Sequence, residues 1–150
     1  MRKLRNLIGM PVICRRQKIG RLVQAQLSPD LKCLEGIWVD GGLKGTRYIP
    51  CERLSMIGKR AVIADDRGCR RKCRCAPLFY RAVATDGSRM GAIVGAELDE
   101  LSFLVQALEL TRGFWDDLST GRMRVETFCV QGGEIIVKDS AKDFSKEEDE

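Results

Sequence analysis

Lys18-Ile19-Gly20-Arg21-Leu22-Val23 returns 71 residues later as Arg89-Met90-Gly91-Ala92-Ile93-Val94. This repetition constrains the fold more than any other feature, because a chain that repeats itself builds one unit twice. The match continues, with Val23, Ala25 and Leu27 falling on Val94, Ala96 and Leu98. Apolar residues at every second position are the signature of a strand with one buried face. Cys33, Ile37 and Val39 then fall on Leu104, Leu108 and Leu110, and Glu35 falls on Gln106. Further on the offset widens to 75, so that Pro50 meets Val125, Gly58 meets Gly133 and Val62 meets Val137. The four extra residues sit near Arg112–Gly121.

Each copy reads as about 60 residues of short strands separated by turns. In the first copy the pattern predicts strands near 10–15, 20–28, 33–39, 46–50 and 61–64. Arg16-Gln17-Lys18, Pro29-Asp30 and Asp40-Gly41-Gly42 supply the turns. Short alternating strands of this kind suggest a small barrel, which also closes exposed strand edges. In the second copy Gly113–Gly121 reads as a short helix, with Phe114 and Leu118 on one face and Gly121 ending it. The boundaries follow: a first repeat over 1–66, a linker over 67–79, a second repeat over 80–139 and an acidic tail over 140–150. The tail, with Phe144 alone among charges, is expected to be disordered. Two units this small are each short of core, so packing one on the other buries more apolar surface. The expected fold is therefore mainly β: two small barrels packed as an intramolecular pseudo-dimer, with one short helix in the second.

Three segments resemble the PRC-barrel family. They are Leu7-Ile8-Gly9-Met10-Pro11-Val12-Ile13, Ile19-Gly20-Arg21-Leu22-Val23, and Gly41-Gly42-Leu43 through Tyr48-Ile49-Pro50. The order is similar to that family's strand–turn–strand arrangement, with a glycine opening the second strand and an aromatic-apolar-Pro segment after a glycine-rich turn. The second copy matches more loosely, because Arg81-Ala82-Val83-Ala84-Thr85-Asp86-Gly87 lacks the Ile-Gly-Met-Pro-Val form. The resemblance implies two tandem PRC-barrel-like units and a role in assembly, without a shared catalytic motif. The family's relatives include the C-terminal domain of a ribosome-maturation factor and the cytoplasmic domain of the photosynthetic reaction centre H subunit. This chain shows neither the transmembrane helix of the latter nor an evident N-terminal partner domain like the former's, so neither role transfers directly.

Composition narrows the chemistry. Among 150 residues there are 7 cysteines and no histidine. Histidine catalysis and histidine metal ligation are excluded, and an odd number of thiols cannot close into disulfides within one chain. No apolar run approaches the roughly 20 residues that span a bilayer, and the first ten residues lack a signal-peptide core. These features predict no membrane insertion and a reducing, cytoplasmic setting. The net charge of +5 is unevenly divided: +7 over 1–66, +6 over 67–81, −5 over 82–139 and −3 over 140–150. Such asymmetry suggests a charged partner, or one half answering the other.

The linker carries the most unusual composition, Arg67-Gly68-Cys69-Arg70-Arg71-Lys72-Cys73-Arg74-Cys75-Ala76-Pro77. Arg67, Arg70, Arg71, Lys72 and Arg74, with Arg81, are candidates for neutralising nucleic-acid phosphates. Contact of that kind is sequence-independent and salt-sensitive. No aromatic interrupts the run, so base stacking is unsupported. The bland alternatives are a solvated basic loop and a simple span between repeats. Cys69, Cys73 and Cys75 offer three thiols for a metal or for oxidation. Zinc sites take four ligands, usually from CxxC pairs or histidine, and neither occurs here. No cofactor is expected. Cys14, Cys33, Cys51 and Cys129 read as small core hydrophobes.

Catalytic motifs are missing from the sequence. Gly41-Gly42-Leu43-Lys44-Gly45-Thr46 lacks Walker spacing and reads as a turn between strands. Asp116-Asp117 and Asp99-Glu100 read as solvated carboxylates rather than a positioned acid–base pair. Trp38 shares a strand face with Leu34 and Gly36, opposite Cys33, Ile37 and Val39. Leu34 and Trp38, with Phe114 and Trp115, are therefore candidates for a protein interface, core burial being the alternative. The expected function is a non-enzymatic adaptor or assembly module holding a protein or ribonucleoprotein partner. RNA or DNA phosphate binding through the linker is the alternative, and metal or redox sensing by the cysteine trio the third.

Overall fold

The structure, a computed structural model, describes residues 1–70, 81–84, 89–111, 113, 121–131 and 134–137. The chain divides into two compact units. The first comprises Met1–Ala76 with Glu97–Val105, and the second comprises Pro77–Ala96 with Gln106–Glu150. The protein is mainly β, with a sheet curled into a half-barrel.

The first unit opens with β1 (Arg2–Lys3) and a single helical turn, α1 (Leu4–Leu7). Six strands follow: β2 (Pro11–Cys14), β3 (Gln17–Leu27), β4 (Leu34–Asp40), β5 (Thr46–Pro50), β6 (Leu54–Ile57) and β7 (Val62–Ala64). They form one sheet in the order β5-β4-β3-β2-β7-β6. Five of them fall where the alternating pattern places strands. β6 has no such pattern and was not anticipated. Leu7, Val12, Leu22, Leu34, Ile37, Ile49 and Val62 are buried in this unit's core. β4 is buried on both faces, because Leu34, Gly36 and Trp38 are as enclosed as Ile37 and Val39. A central strand covered on both sides reads as a nearly continuous apolar run.

The second repeat supplies β8 (Arg81–Ala84), β9 (Arg89–Leu98), β10 (Val105–Thr111), β11 (Met123–Val125), β12 (Phe128–Gln131) and β13 (Glu134–Val137). Their order is β11-β10-β9-β8-β13-β12, which is the first sheet's order strand for strand. The likeness extends to irregularities. β2 pairs with β3 through a register shift between Val12 and Ile13, and β8 pairs with β9 through one between Ala82 and Val83. Each sheet also closes a parallel pair, β2 with β7 and β8 with β13. The repeat in sequence is thus a repeat in topology, bulge included.

Cross-strand register corrects the finer alignment. Ile37 faces Ile49, and its equivalent Leu108 faces Val125, so Val125 corresponds to Ile49 rather than Pro50. Val12 faces Val62 while Ala82 faces Ile135, so Val62 corresponds to Ile135 rather than Val137. The cause lies between strands. The first repeat spends Cys51–Arg53 on a 3-10 turn and bulges between Leu54 and Met56, whereas β12 pairs with β13 without a shift. The second repeat takes its extra residues earlier, after β10.

The hairpin tip 97–105 belongs to the first unit. There Arg2 pairs with Leu98, and Cys33 forms a bridge with Leu104. The Leu34 amide donates to the Phe103 carbonyl at 2.8 Å, and the Val105 amide donates to the Lys32 carbonyl at 2.8 Å. Moving either bond by the 71-residue repeat converts it into the other, so the contact has a local two-fold relation. The expected helix over 113–121, with Phe114 and Trp115, and the tail over 140–150 lie outside the described residues, Gly113 and Gly121 excepted.

Candidate functional site

The turn between β4 and β5 is built for a sharp reversal. Gly42 and Gly45 have φ of 69° and 82°, a region that L side chains enter at a cost. The Gly41 amide donates to the Gly45 carbonyl at 2.9 Å, and Asp40 Oδ1 accepts the Gly42 amide at 2.8 Å. The segment is a turn between strands, as its sequence suggests. It leaves Leu43 fully exposed and presents Lys44 beside it. β5 then places Arg47 directly across from Val39.

The start of the basic linker folds back against this strand. Asp66 Oδ1 accepts the Gly68 amide at 2.6 Å. Gly68 has φ of 76°, and a Cβ there would lie 2.5 Å from the Tyr48 carbonyl oxygen. Glycine is therefore required twice over, by dihedral and by space. The next residue bridges β5 in both directions: the Cys69 amide donates to the Tyr48 carbonyl at 3.0 Å, and the Tyr48 amide to the Cys69 carbonyl at 2.8 Å. Arg67 and Arg70 are thereby brought beside the β4–β5 turn.

Together these residues line a half-open cavity of about 460 Å3. Lys44, Arg47, Arg67 and Arg70 line it, with Ile19 and Val39 as its apolar wall, and no carboxylate takes part. Arg67 Nη2 donates to Gln17 Oε1 at 2.8 Å, and Arg70 Nη2 reaches the Lys44 carbonyl at 3.4 Å. A guanidinium carries five N–H donors, so these contacts orient both side chains and leave most donors available. Arg47 Nε is buried and has no hydrogen-bond partner among the described residues. A buried donor left unmatched costs about 1–3 kcal/mol, and more when it is charged. None of the four cations forms an ion pair among the described residues. Asp66 instead meets Arg53 at 3.6 Å, and Asp40 serves the turn. Four cations with no carboxylate in the lining give this cleft a positive potential.

The other predicted site residues are placed differently. Leu34 is fully buried and Trp38 nearly so. The Trp38 ring lies 5.1 Å from that of Tyr48, and its Nε1 donates to Gln26 Oε1 at 3.2 Å. Cys69 is exposed, whereas Cys73 and Cys75 lie outside the described residues, as do Arg71, Lys72 and Arg74. Arg81 begins β8. Among the described residues no group of three metal-ligating side chains converges. Cys51 has its thiol pKa raised, first by burial and then by the Glu52 carboxylate, which makes it a poor thiolate. Lys44 and Arg47 were not singled out from the sequence. They lie about 20 residues from Arg67 and Arg70, and the backbone bridge that joins them has no sequence signature.

No family model matches the chain, and no curated protein matches it. Among the described residues, no helix is long and apolar enough to cross a membrane.

Proposed function

We propose that the chain is a non-enzymatic assembly module that holds a ribonucleoprotein partner by its RNA phosphates. In this reading it consists of two PRC-barrel-like barrels packed as an intramolecular pseudo-dimer. The matching strand orders favour two units of one kind. The observation that carries the function is the convergence of Lys44, Arg47, Arg67 and Arg70 on one cavity without a carboxylate. Cations grouped without counter-charges raise the local potential and steer anions to the surface. Phosphate contact of this kind is salt-dependent, with a slope in log K against log salt of about −0.7 per phosphate on a single strand.

Fluorescence anisotropy of a labelled single-stranded RNA against the full chain tests the reading. The affinity falls linearly with log salt, and replacing Arg67 and Arg70 by Gln lowers the slope by about 1.4. No binding at low salt, or affinity indifferent to salt, contradicts it. A protein-only partner is the second reading, favoured by Leu101 and Leu104. Both are exposed on the hairpin tip of the first unit. A partner that survives nuclease treatment and is lost on Leu101→Asp supports it.

A further inference from the structure

We propose that the Arg15-Arg16 tip of the β2–β3 hairpin is a second phosphate-contacting element, distinct from the cleft residues, and that its strained backbone serves that contact. The inference rests on the RNA-binding reading above and adds a site to it.

Backbone conformation is the first argument. Cys14 pairs with Gln17, so the hairpin reverses on two residues, Arg15 and Arg16. Their φ angles are 51° and 67°. A two-residue turn with both φ values positive is of type I′, for which Asn-Gly and Asp-Gly are the favoured pairs. Arginine enters that region against its own Cβ, at a cost in stability. Strained residues of this kind cluster at functional sites. The second argument comes from the other repeat. Its equivalent connection, Ala84–Ser88, is one residue longer and carries Asp86-Gly87 in the sequence. The first repeat has two cations and no glycine there. Surroundings are the third. Both arginines are exposed, and neither side chain forms a hydrogen bond or ion pair among the described residues. β7 ends at Ala64 beside Cys14, and the two carboxylates that follow it are engaged elsewhere. Asp65 accepts the Ser55 hydroxyl, and Asp66 meets Arg53 and the Gly68 amide. Gln17, the residue after the tip, accepts the Arg67 guanidinium at 2.8 Å, and Arg67 lines the cleft. The tip therefore continues the cleft's cationic surface. A nucleic-acid strand carries a phosphate on every nucleotide, so one held at Arg67 has further phosphates to place there.

The test measures Tm and the salt dependence of binding to a labelled single-stranded RNA, both on the full chain. Arg15→Asn with Arg16→Gly installs a favoured turn pair and removes both charges. Tm is expected to rise while RNA affinity falls, a trade of stability against function. The slope of log K against log salt is expected to drop by about 1.4, from two phosphates at about 0.7 each. Arg15→Gln with Arg16→Gln removes the same charges and leaves the turn strained. Its slope drops equally, and its Tm stays below that of the first variant. A slope unchanged in both variants, where Arg67→Gln with Arg70→Gln still lowers it, overturns the proposal and leaves the cleft reading standing. Equal Tm in the two variants shows that the turn stores no strain and likewise overturns the proposal. No RNA binding by the unaltered chain at low salt overturns both.

Discussion

Strands β4 and β10 occupy the same place in two sheets of the same order and are both buried, yet one position on them is filled by opposite chemistry. In the first repeat Trp38 faces Tyr48 across the ladder; at the equivalent position Glu109 faces Arg124. Glu109 is buried, with Arg122 Nη1 at 3.7 Å from its carboxylate. One step along, Arg47 faces Val39 in the first repeat, where Met123 faces Leu110 in the second. The arginine that makes the cavity has no counterpart at its own register position. Backbone topology is therefore shared between the repeats while side-chain function is not. The shared part depends on strand periodicity and bulges, which tolerate many side chains. The differing part depends on a few cross-strand pairs, each of which can change without altering the ladder.

The largest expected effect contrasts the two central positions. Trp38→Ala removes an enclosed ring and its contact with Tyr48 and should cost about 3–5 kcal/mol in denaturant unfolding. Glu109→Leu should cost less than this, because an apolar side chain replaces the buried carboxylate and its partner Arg122 is 44% exposed and can return to water. Equal losses at both positions would mean that the two strands depend on these side chains alike. A smaller effect concerns Gly36, whose equivalent is Ala107. A Cβ at Gly36 would collide with the Tyr48 ring and lie 2.7 Å from the Ile49 carbonyl oxygen. Gly36→Ala should therefore cost about 1–3 kcal/mol through overpacking. Ala107→Gly should cost about 1–2 kcal/mol, through lost backbone restriction and the loss of a buried methyl.

The smallest effect lies where the repeats agree. In each, the turn after the long strand pairs a serine with an aspartate. Ser28 Oγ donates to Asp30 at 2.6 Å, and Ser102 Oγ donates to Asp99 at 2.6 Å. Those hydroxyl bonds, with backbone amides behind them, hold both carboxyl pKa values below the ordinary range. A depressed folded-state pKa stabilises the protein above the unfolded value, and this contribution is lost as pH falls through the folded value. Ser28→Ala and Ser102→Ala should each lower Tm slightly at pH 6, and the differences should fade as pH falls below the ordinary carboxylate range and both carboxyls become protonated in folded and unfolded chains alike. A thermal scan across that range checks it.

Much of the fold is legible in the sequence because burial leaves a period-two trace, as in Val23, Ala25 and Leu27. Register is less so. The 3-10 turn at Cys51–Arg53 and the bulge in β6 change the spacing between strands without changing the strands, and matching glycines across them misplaces Val62. Half of the cavity was visible, since Arg67 and Arg70 stand in an obvious basic run. The other half was hidden, because Arg47 looks like one more polar residue on a strand until Cys69 pairs with Tyr48.

On the proposed reading the first unit's cavity, and not the second repeat's charged strand, meets the RNA. Amide chemical shifts of the full chain, followed during titration with a short single-stranded RNA, distinguish the two. Shifts are expected at Gly41, Gly45, Arg47, Arg67 and Arg70, with residues 105–111 unmoved. Shifts concentrated in 105–111, with 41–47 unmoved, would contradict it.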